Sequence, residues 1–250
     1  MKSNKIIGLL MALSVGLSSC VDGILNSDEK LEKRNVVLQL FTYYGNELLN
    51  PDSLHILGNS EVKFTDISFV YSGYSFVSTA GDTLFRDTAV NVQDLMNSLV
   101  YLTKIPGGTY SGTHYFSIGL DTNQEKILPT AYPEDHPMRG ANLYRGVGKG
   151  YNYMVFKGTW RALGDTLDPA KPFSYVVASP LGTKFSKTMA FTVGGSSKAR
   201  INIVLSIDKL LAGLDPSVTA DVTCNPALPL DFALATGIKQ NLASSYIIQL

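Results

Sequence analysis

A short run of side chains that can bind metals stands out in the middle of the sequence. Glu134, Asp135, His136, Pro137 and Met138 follow one another, so that carboxylate, imidazole and thioether groups lie within a few residues. Copper favours imidazole and thioether ligands over purely oxygen ligands. The spacing alone does not define a site, because Pro137 stiffens the segment and His136 and Met138 need not converge on one ion. The run is a candidate copper site whose alternative is an ordinary loop.

Three further residues carry ligand-type side chains. His114 shares strand parity with Tyr110 and Phe116, so its ring is expected on an apolar face, as a hydrogen-bonded core histidine. His55 has no ligand-type residue at metal spacing beside it, and we expect a solvated loop histidine. Cys224 completes the candidate metal ligands, which are His136, Met138 and Cys224, with His114 as a further possibility.

Motifs typical of enzymes are absent from the sequence, including G-x-S-x-G, H-E-x-x-H and C-x-x-C. The acidic residues show no spacing that would place two carboxylates across a substrate. The glycines at 140, 146, 148 and 150 precede a predicted strand rather than a helix, so we interpret them as flexible backbone and not as a phosphate loop. With 21 basic and 21 acidic residues the net charge is zero, which argues against a nucleic-acid partner. The sequence favours a binding or structural protein over an enzyme.

The N-terminus has the pattern of a secretion signal. Lys2 and Lys5 precede the apolar run 6–17, which is too short to span a bilayer as a permanent helix. The run ends in Leu-Ser-Ser-Cys20 and looks like a bacterial lipobox, in which the cysteine is lipidated; the alternative is an ordinary cleaved signal with a chance cysteine. We therefore expect a signal peptide at 1–19, a lipid anchor on Cys20, a charged tether at 20–35, and a location at the cell envelope, on the periplasmic or surface face of the outer membrane. With Cys20 lipidated, Cys224 would be the only free thiol, and no disulfide within the chain would be possible.

The remainder, 36–250, alternates short β-type runs with turn residues, which predicts one all-β domain, an antiparallel β-sandwich of the Ig-like or Greek-key type. The predicted strands are Val36–Thr42, Phe64–Val77, Ser98–Thr103, Tyr110–Leu120, Tyr151–Lys157, Phe173–Ala178, Thr188–Val193 and Ala199–Asp208. Between two of them, Pro106-Gly-Gly108 predicts a hairpin turn.

Two segments of this domain are not strands. Asp121–Gly150 has no periodicity and exceeds the usual length of a structureless loop, which is typical of a functional loop. From Asp231 onward, apolar residues spaced four apart predict a helix that packs on the sandwich, capped by Asp231. These residues are Leu234, Ile238, Leu242 and Tyr246.

Four segments, in this order, resemble the MbnP-like family of secreted or lipid-anchored bacterial β-sandwich proteins. They are the opening strand VVLQL from Val36; IPGGTYSG from Ile105, followed by FSIGLD; HPMRGAN from His136, leading to FKGTW160; and IDKLL from Ile207 with the C-terminal helix. The resemblance implies copper binding outside the cytoplasm. In some members the copper lies near a tryptophan that a di-haem peroxidase-like partner oxidises to kynurenine.

The chain departs from the family pattern at several positions. Where relatives are tryptophan-rich, it has LYRGVGKG from Leu143, and its only tryptophan is Trp160. Phe173-Ser-Tyr175 is followed by valine where relatives tend to have histidine, and Cys224 stands where others can have histidine. Two functions remain open: a copper-binding envelope lipoprotein, or a metal-free structural or interaction lipoprotein that uses the loop 121–150 to contact an envelope partner or glycan.

Overall fold

The computed structural model describes residues 33–87, 90–94, 100–140, 143–194 and 199–249. Cys20, the predicted signal peptide and most of the predicted tether lie outside the described residues. Of the candidate site residues, His114, His136, Met138 and Cys224 are all described.

The described chain is built mainly from strands. These are β1 (Lys33–Tyr44), β2 (Glu47–Leu48), β3 (His55–Leu57), β4 (Ser60–Ser78), β5 (Thr83–Asp87), β6 (Asn91–Asp94), β7 (Val100–Pro106), β8 (Gly108–Ile118), β9 (Asn152–Ala162), β10 (Lys171–Ala178), β11 (Thr183–Val193), β12 (Ala199–Ser206), β13 (Asp221–Val222) and β14 (Tyr246–Gln249). The helices are α1 (Pro137–Gly140), α2 (Ile207–Leu210) and α3 (Pro229–Ser245), with 3-10 turns at Gln124–Lys126 and Pro129–Ala131. None of the helices in the described ranges is long and apolar enough to cross a membrane.

The smaller sheet has the order β14-β12-β1-β2, with β7 also paired to β1. Burial alternates along β1, where Val36, Leu38 and Leu40 are buried and the residues between them are partly exposed, whereas β12 is buried on both faces from Ile203 onward. The two strands run parallel, with Leu38 opposite Ile201 and Leu40 opposite Ile203. The prediction of a purely antiparallel sandwich is therefore wrong in this respect, because the strand pairing is mixed. β1 begins at Lys33 rather than at Val36.

The larger sheet has the order β11-β8-β4-β9-β10-β13, and β3, β5 and β6 also pair with β4. The 19-residue β4 is the central strand of this sheet, since its first half pairs with β9 and its second half with β8. The register shifts between Phe64 and Asp66 within the pairing with β9, and again between Tyr71 and Gly73 where the pairing with β8 begins. One hydrophobic cluster contains residues of both sheets, which confirms the predicted all-β sandwich.

The turn at Pro106-Gly-Gly108 does not make a hairpin, contrary to the prediction. β7 pairs with β1 in the smaller sheet, whereas β8 pairs with β4 and β11 in the larger one, so the chain crosses between sheets at this point. The hydroxyl of Tyr110 donates a hydrogen bond to the carbonyl of Pro106 at 2.6 Å and fixes the corner. Turn residues alone specify a change of direction and not the strand that receives the chain.

Helix α3 packs on the sandwich as predicted, against α2, β10, β12 and β13. It buries Ala235, Ile238 and Leu242, while Leu234 is only partly buried. Tyr246, predicted as the last residue of the helical stripe, instead begins β14 and pairs with Leu205. The edge of the smaller sheet offers β14 backbone partners, and this pairing ends the helix.

Candidate functional site

The described parts of the segment 121–150, residues 121–140 and 143–150, contain short helical turns and hydrogen-bonded turns rather than irregular chain. One carboxylate oxygen of Asp121 accepts the backbone N–H groups of Asn123 and Gln124 at 2.9 and 2.8 Å and starts the first 3-10 turn. The guanidinium of Arg139 donates to the carbonyl of Tyr132 at 2.7 Å. These contacts, formed within the segment, give the long loop a fixed shape.

His136 and Met138 have different surroundings. The ring of His136 stacks on Tyr132, with centroids 4.3 Å apart, and its Nδ1 accepts the backbone N–H of Met138 at 3.1 Å. A neutral imidazole that accepts at Nδ1 carries its proton on Nε2, so neither ring nitrogen has a lone pair free for a metal. Met138 is fully buried in the hydrophobic core.

His114 is a core histidine, as expected for its strand position, with 1% of its surface exposed. Its Nδ1 is hydrogen-bonded to the hydroxyl of Tyr246, and the ring of Tyr74 packs edge-on against it, with centroids 4.5 Å apart. Its Nε2 has no hydrogen-bond partner among the described residues. Burial lowers the pKa of His114 to about 3, so the ring is neutral at physiological pH. His114 ties β14 to β8 across the interior of the sandwich.

Cys224 is buried directly after β13, and its Sγ lies 3.7 Å from the carbonyl of Ala178. Burial raises the pKa of its thiol, against smaller opposing effects of the contact with Ala178 and of the charge of Arg145. Its φ of 54° places it in the left-handed region that residues other than glycine seldom adopt.

Asp231 holds this strained turn in place. Its carboxylate accepts the backbone N–H groups of Thr223 and Asn225, both at 2.6 Å. Asp231 was predicted to cap helix α3, but the helix begins at Pro229 and has no side-chain cap. The carboxylate faces donors on the preceding loop because that loop folds back over the first turn of the helix. The two hydrogen bonds thus fix Cys224, the residue with the left-handed φ, through its neighbours on both sides. Strained residues at functional sites are commonly held in this way.

Residues 143–152 form a tight reverse turn opposite this segment. A bridge pairs Tyr144 with Tyr151, and the Arg145 N–H donates to the carbonyl of Gly150 at 3.0 Å. Gly150, with a φ of 68°, allows no side chain, since a Cβ there would lie 2.7 Å from the Cβ of Ser179. Of the glycines interpreted as flexible backbone, Gly146, Gly148 and Gly150 therefore shape a hydrogen-bonded turn, whereas Gly140 ends α1.

The turn and the 223–226 segment enclose a cleft of about 560 Å³. Its lining residues are Arg145, Gly148, Lys149, Ser179, Pro180, Thr223, Asn225 and Pro226. The Nη2 of Arg145 donates to the carbonyls of Thr223 at 3.0 Å and Cys224 at 3.5 Å, which joins the two walls. A second cleft of about 340 Å³ shares Gly148 and Ser179 with the first and adds Leu128, Tyr144 and Val147.

The candidate metal ligands do not fit a copper ion in this arrangement. Within the described ranges, no three histidine, cysteine or acidic residues lie close enough together to hold a metal. His114 is bonded to Tyr246 and His136 to the Met138 backbone, while the Cys224 thiol is buried against Ala178. The structure therefore does not bring His114, His136 and Cys224 together as one metal site.

Sequence reasoning missed the residues that line the cleft, above all Arg145, Lys149 and Asn225. The available signal was the glycine spacing around Arg145 and Lys149, which places two cations in a turn-forming segment. Asn225 lies far from them in sequence. His55 was also placed wrongly as a solvated loop residue, because it lies in β3, partly buried, with its ring 4.4 Å from that of Tyr44.

Comparison with known proteins places the chain. A family model described as MbnP matches residues 33–226. No curated protein matches the sequence. The solved structure of MbnP from Methylosinus trichosporium aligns with 74% of this chain and 79% of its own, at 12% sequence identity and a TM-score of 0.49. The family match runs from the first residue of β1 to the residues after β13, well over half of the chain, and the protein therefore belongs to the MbnP family.

Proposed function

We propose that this protein is a non-catalytic binding protein of the bacterial cell envelope, held there by a lipid on Cys20. It recognises its ligand with the surface formed by residues 121–150 and their neighbours at 179–180 and 223–226. The observation that carries the proposal is that the described parts of this long segment are fixed by hydrogen bonds and form, with residues 179–180 and 223–226, the walls of two adjoining clefts. Loops held rigidly by a scaffold are common places for binding sites.

Copper binding is the second candidate, favoured by membership of the MbnP family, for which the sequence resemblance implies copper. The positions of the candidate ligands His114, His136 and Cys224 argue against copper binding in this chain. For His136 to bind a metal through Nε2, its proton must move to Nδ1, and the hydrogen bond from the Met138 backbone must break. A partner resembling a di-haem peroxidase belongs to this second candidate and is proposed only with it.

A competition titration with Cu(I) and Cu(II), with stoichiometry read by native mass spectrometry, separates the two candidates. We expect no ion to bind the wild-type protein more tightly than the His136→Ala, Cys224→Ala double variant. One tight ion per chain, weakened in that variant, would reject the metal-free proposal and establish a copper protein.

The proposed recognition surface has its own test. Val147 belongs to the proposed recognition surface and is 86% exposed. Leu167 lies outside that surface, in the connection between β9 and β10, and is 95% exposed. Val147→Asp should reduce cross-linking of the protein to envelope components, whereas the matched control Leu167→Asp should not. Equal cross-linking by both variants and the wild type would remove the surface from the proposal.

A further inference from the structure

Two cations line the larger cleft without an acidic partner. Arg145 and Lys149 are its charged lining residues. Among the described residues, neither forms an ion pair, whereas Arg161, for example, is paired with Glu61 at 2.6 Å. Two basic side chains therefore line one concave site, in a protein whose net charge is zero.

Arg145 is fixed in position but not saturated. Its Nη2 is held by two main-chain carbonyls, of Thr223 and Cys224, which orient the guanidinium without neutralising it. Nε and Nη1 have no hydrogen-bond partner within the described part of the chain and remain available as donors. An arginine anchored in this way loses little side-chain entropy when it binds a ligand.

The other polar groups of the cleft complete a donor surface. The side-chain oxygen of Asn225 accepts the N–H of Ala227 at 3.0 Å, so its amide N–H groups are available. The carboxylate of Asp231 lies near this wall, but it does not line the cleft, and both its oxygens accept hydrogen bonds from Thr223 and Asn225. The charges and free donors of the cleft therefore favour an anion.

The adjoining cleft has a different character. It presents Leu128, Tyr144 and Val147, of which Leu128 and Val147 are exposed. It also contains Glu125, whose carboxylate accepts the hydroxyl of Ser179 at 2.8 Å, and Lys126. Glu125 and Lys126 offset each other in charge, whereas the larger cleft is lined by two cations and no acid, so the anionic end of a ligand belongs beside Arg145 and Lys149.

We propose that the two clefts form one binding site for a small organic anion, a carboxylate or a phosphate ester. Its charged group is held by Arg145, Lys149 and Asn225, and its apolar part lies over Leu128, Tyr144 and Val147. The volume of the larger cleft, about 560 Å³, lies within the range of roughly 300–1,000 Å³ typical of small-molecule sites. This inference rests on the proposed function, because it names the ligand class of the same surface.

Titrations of the full chain with four probes, followed by ligand-observed NMR, test the proposal. Acetate and phenylacetate form one pair, and inorganic phosphate and phenyl phosphate form the other. The pairs distinguish a carboxylate from a phosphate as the bound anion. We expect one phenyl-bearing anion to bind at least several-fold more tightly than its small counterpart, and uncharged benzyl alcohol to bind least.

Lys149→Gln is the informative variant, because the side-chain ammonium of Lys149 makes no hydrogen bond or ion pair in the described structure, and its loss should leave the melting temperature unchanged. It should weaken binding of the favoured probe by roughly tenfold, the scale of one charge-assisted hydrogen bond. Lys187→Gln, an exposed lysine of β11, is the matched control and should bind like the wild type. Arg145→Gln should weaken binding further.

Two results would overturn the inference. In the first, Lys149→Gln binds every probe with the same affinity as the wild type. In the second, phenylacetate and phenyl phosphate bind the wild type no more tightly than acetate and inorganic phosphate. Either result leaves the proposed function standing if Val147→Asp still reduces envelope cross-linking. If cross-linking is also unaffected, the proposed recognition surface fails with it.

Discussion

The buried His114 should make this protein less stable in mild acid, because only the unfolded chain protonates its imidazole there. The imidazole is held neutral in the sandwich, with a pKa of about 3 against an ordinary value of 6.5. Below pH 6.5 the unfolded chain therefore binds a proton at this position that the folded protein does not bind. The stability that His114 contributes is complete above pH 6.5 and is lost progressively as the pH falls toward 3.

The magnitude follows from the two pKa values. Between pH 7 and pH 5 the proton taken up on unfolding lowers the free energy of unfolding by about 2 kcal/mol. This is a substantial share of the total for an ordinary domain, about 5–15 kcal/mol. Urea unfolding at both pH values, followed by circular dichroism, measures the difference.

Comparison of variants assigns the effect to His114. His114→Gln has no titrating ring, so its loss of stability from pH 7 to pH 5 should be about 2 kcal/mol smaller than in the wild type. Tyr246→Phe removes the hydrogen-bond partner of Nδ1 but leaves the ring buried. It should cost about 1–3 kcal/mol at pH 7 and keep the wild-type pH dependence. An unchanged pH dependence in His114→Gln would refute the reasoning, since the buried ring would then not be the group that takes up the proton.

Three further outcomes follow from single contacts. Gly158→Ala should destabilise the protein by about 1–3 kcal/mol in urea unfolding, because its Cβ would lie 2.0 Å from the backbone carbonyl of Lys63; wild-type stability would show that β4 and β9 separate easily. Cys224 should react with a thiol reagent far more slowly in the folded protein than in urea, because burial raises its pKa; equal rates would show that the 223–225 turn opens readily. Asp215→Asn should lower the melting temperature at pH 7, because desolvation, which raises the pKa of Asp215, is outweighed by hydrogen bonds from Asn59, Ser217 and Ser60, which together lower it to about 2. Since a lowered carboxyl pKa contributes stability above about pH 4 that is lost as the pH falls toward 2, this difference should narrow in strong acid; a constant difference would contradict the ionic origin.

Local patterns in the sequence predict much of the fold. Alternation along Ala199–Asp208 predicts β12, because period-two burial depends only on neighbours in the chain; α2 begins at Ile207, inside the predicted range. The apolar spacing around Ile238 and Leu242 predicts α3 for the same reason, and the family resemblance is confirmed by the model match over 33–226. Strand partners are harder to predict from the sequence. No local sequence pattern shows that β1 and β12 pair in parallel, or that the chain changes sheets at Gly107.

The sequence by itself determined the residue types, the strand and helix periodicity, and the shortage of catalytic motifs. Only the tertiary structure decided which of those residues meet. It bonded His114 to Tyr246 and fixed the His136 ring by the Met138 backbone, although their types alone suggested metal ligands. It also brought Arg145 to the carbonyl of Thr223, 78 positions along the chain. Secondary structure follows from interactions between near neighbours, whereas a binding site depends on contacts between distant segments that form only when the sheets pack.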